Sequence, residues 1–450
     1  MIKIDKFKKE VFMRKGIYFI VFFLFLCLLG FANEAEIKAH YELSRFLPPE
    51  VCGGCHSDIF TQWKGSLHQL SLKDKIFLAV AKDGLKGIKI DDELLEAESC
   101  QKCHTPVGYL SGYPLRTSDD IKKIQEPATQ GVQCDYCHSI TGAYAIYNAK
   151  YKMDPGNGYS DPGIKRGPFN DSKADFHKTE FSSFHTKSEI CGTCHNVKHV
   201  VYGTWLETTY EEWSASPYKN QGIQCQDCHM YQRPGHPATG STKREKNPGI
   251  AAYGGPQRDH IFTHYFVGGN SVIPATEKDN IRVKMAEDRL QNAVTMSIEE
   301  KMKGNSVVIK LLNNGAGHEV PTGVSNIRQV WLKVIVKDST GKVVYSSGVP
   351  DKKGYIDSRT IIFGTVFGDG NGNRVDNLAK AKEILFDKRL KPMKEHFEHI
   401  TIKSDDTKFT VEAELIYSII SQKTADSLKE LKGLKIKPVV MTQAKATVIR

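Results

Sequence analysis

The sequence predicts an α+β protein of several domains, in which a mostly helical and looped N-terminal part precedes an antiparallel β-sandwich. Ten of the 11 cysteines in the 450 residues lie between Cys52 and Cys228, and no cysteine follows them. Apolar and polar residues alternate in later segments such as Val330–Val336, and turn sequences rich in Asn and Gly separate these segments. This change in composition predicts one domain over residues 33–275 and the β-sandwich over residues 276–450.

The cysteines are grouped by one repeated motif, C-x-x-C-H. Two thiols at this spacing can each add to one vinyl group of a haem, and the adjoining histidine is then held where its imidazole ligates the iron. Five such motifs therefore predict five covalently attached haem c groups, each with a proximal histidine. The motifs are Cys52–His56, Cys100–His104, Cys134–His138, Cys191–His195 and Cys225–His229. The thioether-forming residues are Cys52, Cys55, Cys100, Cys103, Cys134, Cys137, Cys191, Cys194, Cys225 and Cys228, and the proximal ligands are His56, His104, His138, His195 and His229.

Zinc sites and redox dithiols also use C-x-x-C pairs. Tetrahedral zinc usually takes its later ligands from a separate knuckle, and a redox dithiol needs no histidine at the same offset every time. The regular histidine therefore favours haem c over both. The chain between motifs is too short for an ordinary apolar core, so we expect the porphyrins to form much of the core, wrapped by short helices and loops. The composition of residues 144–176, rich in Gly, Pro, Asp and Asn, predicts a long loop.

The N-terminus has the pattern of an export signal. Six basic residues precede an apolar run at Ile17–Phe31, and Gly30-Phe31-Ala32 provides small residues for cleavage. Residues 1–32 are therefore predicted to be a signal peptide that includes Cys27, with an uncleaved membrane anchor as the alternative. Export predicts a periplasmic or extracellular location.

The formal net charge of +10 does not indicate a nucleic-acid-binding protein. Residues 1–32 contain six of the bases and two of the acids, so the chain beyond them carries +6. The propionates of five haems would turn that balance negative, and the sequence has no Arg/Lys stripe with interleaved aromatic residues. We expect partners that are redox proteins, some of them membrane-associated, and self-association is a further option.

Histidines outside the motifs supply candidates for the sixth ligand of each iron. One of them, His318, lies in a Gly- and Pro-rich loop of the β-sandwich, from which it could reach a haem across the domain boundary. For each candidate the alternative is an ordinary surface histidine. The candidates are His68, His177, His185, His260, His264 and His318.

The spacing of four motifs indicates an internal duplication. Cys100 and Cys134 are 34 residues apart, as are Cys191 and Cys225, and the two pairs are offset by 91 residues. Gly131-Val132-Gln133 before the third motif matches Gly222-Ile223-Gln224 before the fifth. The shared glycine predicts a positive φ or a backbone approach too close for a Cβ. We infer two copies of a two-haem unit, with the first-motif haem added in front.

A Trp–Ser element also recurs, with one change. Trp213 and Ser216 repeat the offsets of Trp63 and Ser66, but Tyr218 stands where His68 stood. Tyr218 either packs only or marks an iron that lacks a histidine ligand.

Residues 50–270 resemble the cytochrome c-554 family of multihaem cytochromes, whose relatives include hydroxylamine oxidoreductase and octahaem tetrathionate reductase. The family implies an exported electron carrier with mostly bis-histidine haems in close stacked pairs. The count of five motifs and Tyr218 depart from the family pattern. The resemblance is carried by Trp63, Ser66 and His68 after the first motif, by Gly131–His138, by Ser188–Asn196 and by Cys225–Met230.

Two functions are therefore expected. The first is electron transfer between redox partners through closely packed, mostly bis-histidine haems. The second is oxidation or reduction of small nitrogen or sulfur compounds, such as hydroxylamine, nitrite or tetrathionate, at one open iron. Against the second, no motif has lysine in place of its histidine, which is the mark of the multihaem nitrite reductases, and no catalytic residue is assigned.

Overall fold

The structure, a computed structural model, describes Tyr41–Arg450 as one compact unit. The predicted signal peptide, with Cys27, lies outside the described residues. Within residues 41–450, no helix combines the length and the apolarity that crossing a lipid bilayer requires.

Short helices are the main regular structure in the part of the chain that carries the motifs. Most have one or two turns, a length at which a helix is unstable in isolation and depends on what packs around it. The helices are α1 (Pro49–Gly53), α2 (Ser57–Trp63), α3 (Lys75–Gly84), α4 (Asp91–Ala97), α5 (Gln101–His104), α6 (Pro106–Leu110), α7 (Cys134–His138), α8 (Glu189–Gly192), α9 (Thr209–Ser214), α10 (Pro217–Asn220), α11 (Cys225–His229), α12 (Val272–Thr276), α13 (Asn280–Gln291) and α14 (Gln422–Ser427).

Three two-stranded sheets lie between the third and fifth motifs. They pair β1 with β2 and β5 with β6 in antiparallel fashion, whereas β3 and β4 are parallel. The prediction of a long loop over residues 144–176 was therefore wrong in part, because β2 and β3 fall within it. Their partners come from chain outside that stretch, so the local composition could not show the pairing. The strands are β1 (Ile140–Ala143), β2 (Tyr151–Met153), β3 (Ile164–Gly167), β4 (Lys178–Phe181), β5 (Val197–Lys198) and β6 (Trp205–Glu207).

The C-terminal part is built from antiparallel sheets, which confirms the α+β class. One sheet has the order β10-β9-β16-β17, with β11 also paired to β9; the others have the orders β15-β8-β7 and β13-β12-β14. The strands are β7 (Val294–Ile298), β8 (Ser306–Asn313), β9 (Gln329–Lys337), β10 (Val343–Ser347), β11 (Ile361–Phe363), β12 (Thr365–Gly368), β13 (Arg374–Val375), β14 (Glu383–Asp387), β15 (Glu395–Thr401), β16 (Lys408–Ser418) and β17 (Val439–Ile449).

The largest apolar core joins two of these sheets to a helix of the motif-bearing part. Ile309 of β8 and Leu332 of β9 are completely buried in the same cluster. Ile76 and Ala79, both on α3, are buried in it as well. Burial of this apolar surface is the main force that fixes α3 against the sheets.

The predicted duplication has a structural counterpart in two tryptophans. The Trp63 indole N–H donates to the carbonyl of Val132 at 2.9 Å, and the Trp213 indole N–H donates to the carbonyl of Ile223 at 2.8 Å. Each acceptor lies two residues before the first cysteine of its motif. The same hydrogen bond thus anchors the start of the third and fifth motifs.

Tyr218 is buried, and its hydroxyl donates to the carbonyl of Asn314 at 2.7 Å. It packs α10 against the loop that follows β8. The packing interpretation of this tyrosine accounts for all of these contacts.

The two glycines that precede these motifs differ in their surroundings. Gly131 and Gly222 both have positive φ, at 60° and 73°. A Cβ on Gly131 would lie 2.4 Å from the carbonyl oxygen of His68, whereas a Cβ on Gly222 would meet nothing within 4 Å. The close approach coincides with a hydrogen bond from the Val132 N–H to the same His68 oxygen, at 2.9 Å.

We expect Gly131→Ala to destabilise the protein by about 3 kcal/mol or more, because the methyl group collides with backbone atoms that cannot move independently. Gly222→Ala is the matched control, and we expect a cost of about 1 kcal/mol, since only the positive φ is penalised. Urea unfolding followed by far-UV circular dichroism measures both. Equal losses in the two variants would contradict the close approach at Gly131.

Candidate haem centres

Four of the five motif histidines face a second histidine across a gap of constant width. The ring centroids are 6.3–6.5 Å apart, and the ring planes differ by 19–27°. Two imidazole nitrogens that each lie about 2 Å from one metal ion place their ring centroids about 6 Å apart. Each gap therefore fits one iron. The pairs are His56 with His177, His195 with His68, His138 with His264 and His229 with His318.

Hydrogen bonds at Nδ1 fix the orientation of these rings. An imidazole whose Nδ1–H donates to an acceptor presents the lone pair of Nε2, which is the atom that a metal binds. Seven of the histidines in the motifs and pairs donate Nδ1 to a backbone carbonyl at 2.5–3.1 Å. The acceptors are Ala251 for His56, Ser71 for His104, Arg166 for His138, Val267 for His229, Lys178 for His177, Phe262 for His264 and Glu319 for His318.

His195 differs from this pattern, because its Nδ1 donates to the carboxylate of Glu207 at 3.3 Å. Burial lowers the pKa of His195, but the hydrogen bond and the charge of Glu207 outweigh it and raise that pKa to about 9. By contrast, burial lowers the pKa of His68 and that of His264 to about 3. Both of these second histidines are therefore neutral, whereas an iron at His195 would have to displace a proton from Nε2.

His104 is the motif histidine that faces no second histidine within residues 41–450. Its ring stacks on Phe77 of α3, with centroids 3.5 Å apart and planes within 6°. This contact covers a face of the imidazole rather than the Nε2 position. An iron bound to His104 would receive no histidine on its other side from the described chain.

Two of the six predicted second ligands are not brought opposite a motif histidine. His185 lies near His138, with ring centroids 5.7 Å apart, but its Nε2 donates to the carbonyl of Cys137 at 3.0 Å. His260 stacks on Tyr231 at 3.7 Å, and its Nδ1 accepts the backbone N–H of Asn247 at 2.9 Å.

His318 reaches the motif-bearing part from the loop after β8. That loop is held against α9, where Glu212 accepts the backbone N–H of Glu319 at 3.0 Å and the hydroxyl of Thr322 at 2.6 Å. Arg389 pairs with both Glu212 and Glu319, so the two carboxylates share a partly buried cation. These contacts hold the loop that places His318 opposite His229.

A single cavity of about 1620 Å³ joins the five motifs. All ten motif cysteines and all five motif histidines line it, together with the four second histidines of the pairs. A continuous cavity with thiols and imidazoles on its walls suits several large, flat, apolar groups that are bonded to the chain.

Contacts between thiols show which motifs are neighbours. Cys52 lies close enough to Cys134 for the two thiols to shift each other's pKa, and the same holds for Cys103 with Cys194 and for Cys191 with Cys225. The first motif thus adjoins the third, and the fourth adjoins both the second and the fifth. Tyr151 links the third motif to the fourth. Its hydroxyl lies 3.7 Å from the sulfur of Cys194, and its ring packs edge-on against Tyr136 of the third motif.

Several functional residues have no signal in the sequence. Glu207 stands 12 residues after His195 with no recognisable spacing, and the carbonyl acceptors of Ser71 and Val267 could be any residue type. Hydrogen bonding to a backbone carbonyl depends on tertiary position, so sequence patterns could not have identified these partners.

We expect His264→Ala to add one high-spin ferric haem to the wild-type electron paramagnetic resonance spectrum, since the iron at His138 would lose its second ligand. His185→Ala is the matched control and should keep the wild-type spectrum, because its Nε2 is directed at Cys137. His264→Met should remove the added high-spin signal. An added high-spin signal in His185→Ala, with none added in His264→Ala, would reverse the assignment.

Comparisons with known proteins give a family match over part of the chain and a similar fold over most of it. Residues 51–139, which hold the first three motifs, match the family model for cytochrome c554 and c-prime. The fold is similar to the crystal structure of a penta-heme cytochrome c552 from Thermochromatium tepidum, with a TM-score of 0.60 and 20% sequence identity. That similarity covers 91% of this chain and 100% of the other. No curated protein matches the sequence.

Proposed function

We propose that this chain, which is a multihaem c-type cytochrome, holds five covalently attached haems and passes electrons between redox partner proteins. The observation that carries the proposal is the set of four histidine pairs with one common spacing. A bound haem supplies an iron that alternates between ferric and ferrous states. Each histidine pair would supply two ligands to such an iron and would so favour electron transfer over binding of a substrate.

The arrangement of the cysteines supports transfer across all five motifs. Each motif cysteine would be bonded to the edge of its own porphyrin, so cysteines in contact hold two such edges near each other. The thiol contacts link the first motif to the third and the fourth motif to the second and fifth. Tyr151 and Tyr136 bridge the third and fourth motifs. The fourth motif is therefore the branch point of the proposed electron path.

The first motif is the most accessible end of this path. Cys55 is the one exposed cysteine among the ten that the structure describes. Beside it, the N–H of Tyr253 donates to the Cys55 carbonyl at 2.8 Å, and the Tyr253 side chain is 90% exposed. We propose this surface as the place where a redox partner exchanges electrons, with the protein exported to the periplasm or the cell exterior.

The C-terminal part is proposed to be a β-sandwich that completes the haem-bearing part. Its two larger sheets bury their facing residues in one cluster, and its loop after β8 supplies His318. The sheets thereby contribute a ligand to the fifth motif and do more than follow it in the chain.

A second candidate function rests on His104. Its ring faces no second histidine in the described chain, so its iron would have one open axial position. An open iron can bind a small nitrogen or sulfur compound such as hydroxylamine, nitrite or tetrathionate. Tyr218 gives this candidate no support, since its hydroxyl is bonded to Asn314.

We expect the mature protein to have an intact mass that includes five haems, and the reduced protein to bind one carbon monoxide per molecule. The double variant Cys100→Ala/Cys103→Ala should carry four haems and bind no carbon monoxide, because it lacks the haem of the open iron. The matched control Cys225→Ala/Cys228→Ala should also carry four haems but still bind carbon monoxide. A mass without haem would refute the proposed function.

Turnover of hydroxylamine, nitrite or tetrathionate with a redox dye separates the two functions. Rates no higher than those of free haem would remove the enzymatic candidate. Rates that vanish in Cys100→Ala/Cys103→Ala and persist in the control would establish it.

A further inference from the structure

Glu207 gives the fourth motif a chemical environment that the other motifs lack. The Nδ1 atoms of the other four motif histidines donate to neutral backbone carbonyls, whereas that of His195 donates to a carboxylate. We propose that Glu207 is a positioning residue that lowers the reduction potential of the iron held by His195. This inference rests on the proposed haem ligation.

The position of Glu207 is fixed by local structure. It is the last residue of β6, and it pairs in register with Val197 of β5, two residues after His195. The Thr209 hydroxyl lies 3.3 Å from the same carboxylate oxygen and 2.8 Å from the Thr322 hydroxyl. The Glu207 side chain is 12% exposed, whereas the His195 imidazole, which lines the cavity, is 54% exposed.

The effect on the iron follows from the acceptor that Nδ1 meets. A carboxylate draws the Nδ1 proton more strongly than an amide carbonyl does, and this makes the Nε2 lone pair more basic. A more basic ligand stabilises the ferric state more than the ferrous state, which lowers the reduction potential. Glu207 acts through His195 and needs no contact with the iron.

The internal duplication supplies a comparison within the same chain. His104 occupies the position in the first copy that His195 occupies in the second, and its Nδ1 donates to the carbonyl of Ser71 at 2.9 Å. The two-motif unit therefore folds with a neutral acceptor at this position. The carboxylate in the second copy is a property of that site and not a requirement of the unit.

A lower reduction potential at the fourth motif affects electron movement because of where this motif lies. Its cysteines contact those of both the second and the fifth motifs, so electrons that move between branches pass through it. A site of lowered potential at the branch point holds an electron for less time than its neighbours do. His195 and Glu207 thus favour passage of an electron through this haem over its retention there.

The test is a potentiometric titration of the full-length protein with its haems, followed by optical and electron paramagnetic resonance spectra. In Glu207→Gln a neutral amide oxygen replaces the carboxylate, and we expect one of the five reduction steps to move to higher potential. The matched control is Glu211→Gln. The carboxylate of Glu211 is exposed, accepts a hydrogen bond from Asn196 at 3.3 Å and touches no motif histidine. This control should leave all five steps in place.

A second variant changes the potential in the opposite direction. Thr209→Val removes the hydroxyl beside Glu207, so the carboxylate should bind the His195 proton more strongly and lower the same step. Thr322→Val breaks the Thr209–Thr322 contact without touching Glu207, and it should leave that step in place. Thr209→Val also decides the question if Glu207→Gln fails to assemble. The inference would be overturned if the variants carry five haems by mass and all their reduction steps stay at the wild-type potentials. Equal shifts in Glu207→Gln and Glu211→Gln would also overturn it. A protein without haems would instead overturn the proposed function.

Discussion

The hydrogen bond from a histidine Nδ1 to a fixed acceptor is the interaction on which the haem-bearing part depends. Each motif supplies thiols and an imidazole within five residues, but the motif alone does not determine which way the ring points. The acceptors for His56 and His229, the carbonyls of Ala251 and Val267, come from chain far along the sequence. Tertiary folding therefore sets the direction of the motif histidines, whereas His177, His264 and His318 bond to carbonyls within two residues of themselves.

Local spacing and tertiary arrangement differ in how far the sequence predicts them. Every thiol and histidine of the predicted C-x-x-C-H motifs lines the one cavity, and the motif is recognisable because covalent attachment would impose a fixed local pattern. The second histidines follow no such spacing, and His185 met the same criteria as His177 although its Nε2 is occupied by Cys137. The difference between them is the direction of one ring, which depends on packing that no sequence pattern records.

The glycines and strands also separate what local sequence predicts from what tertiary contacts decide. A repeated glycine correctly indicated positive φ at Gly131 and Gly222, yet the close approach of His68 exists at the first alone. The alternating segments after residue 280 form antiparallel strands, whereas β3 was missed because it pairs with a partner beyond the Gly- and Pro-rich stretch. Local patterns predict local conformation, and the contacts that make a site arise from the fold as a whole.

The loop that carries His318 has a consequence for biogenesis. His318 lies 89 residues after His229, and Arg389, which holds its loop against α9, follows 71 residues later. Under the proposed ligation, a haem attached to Cys225 and Cys228 would lack its second imidazole until that loop has docked. Folding of the last sheets would then close a position that is otherwise open to small molecules.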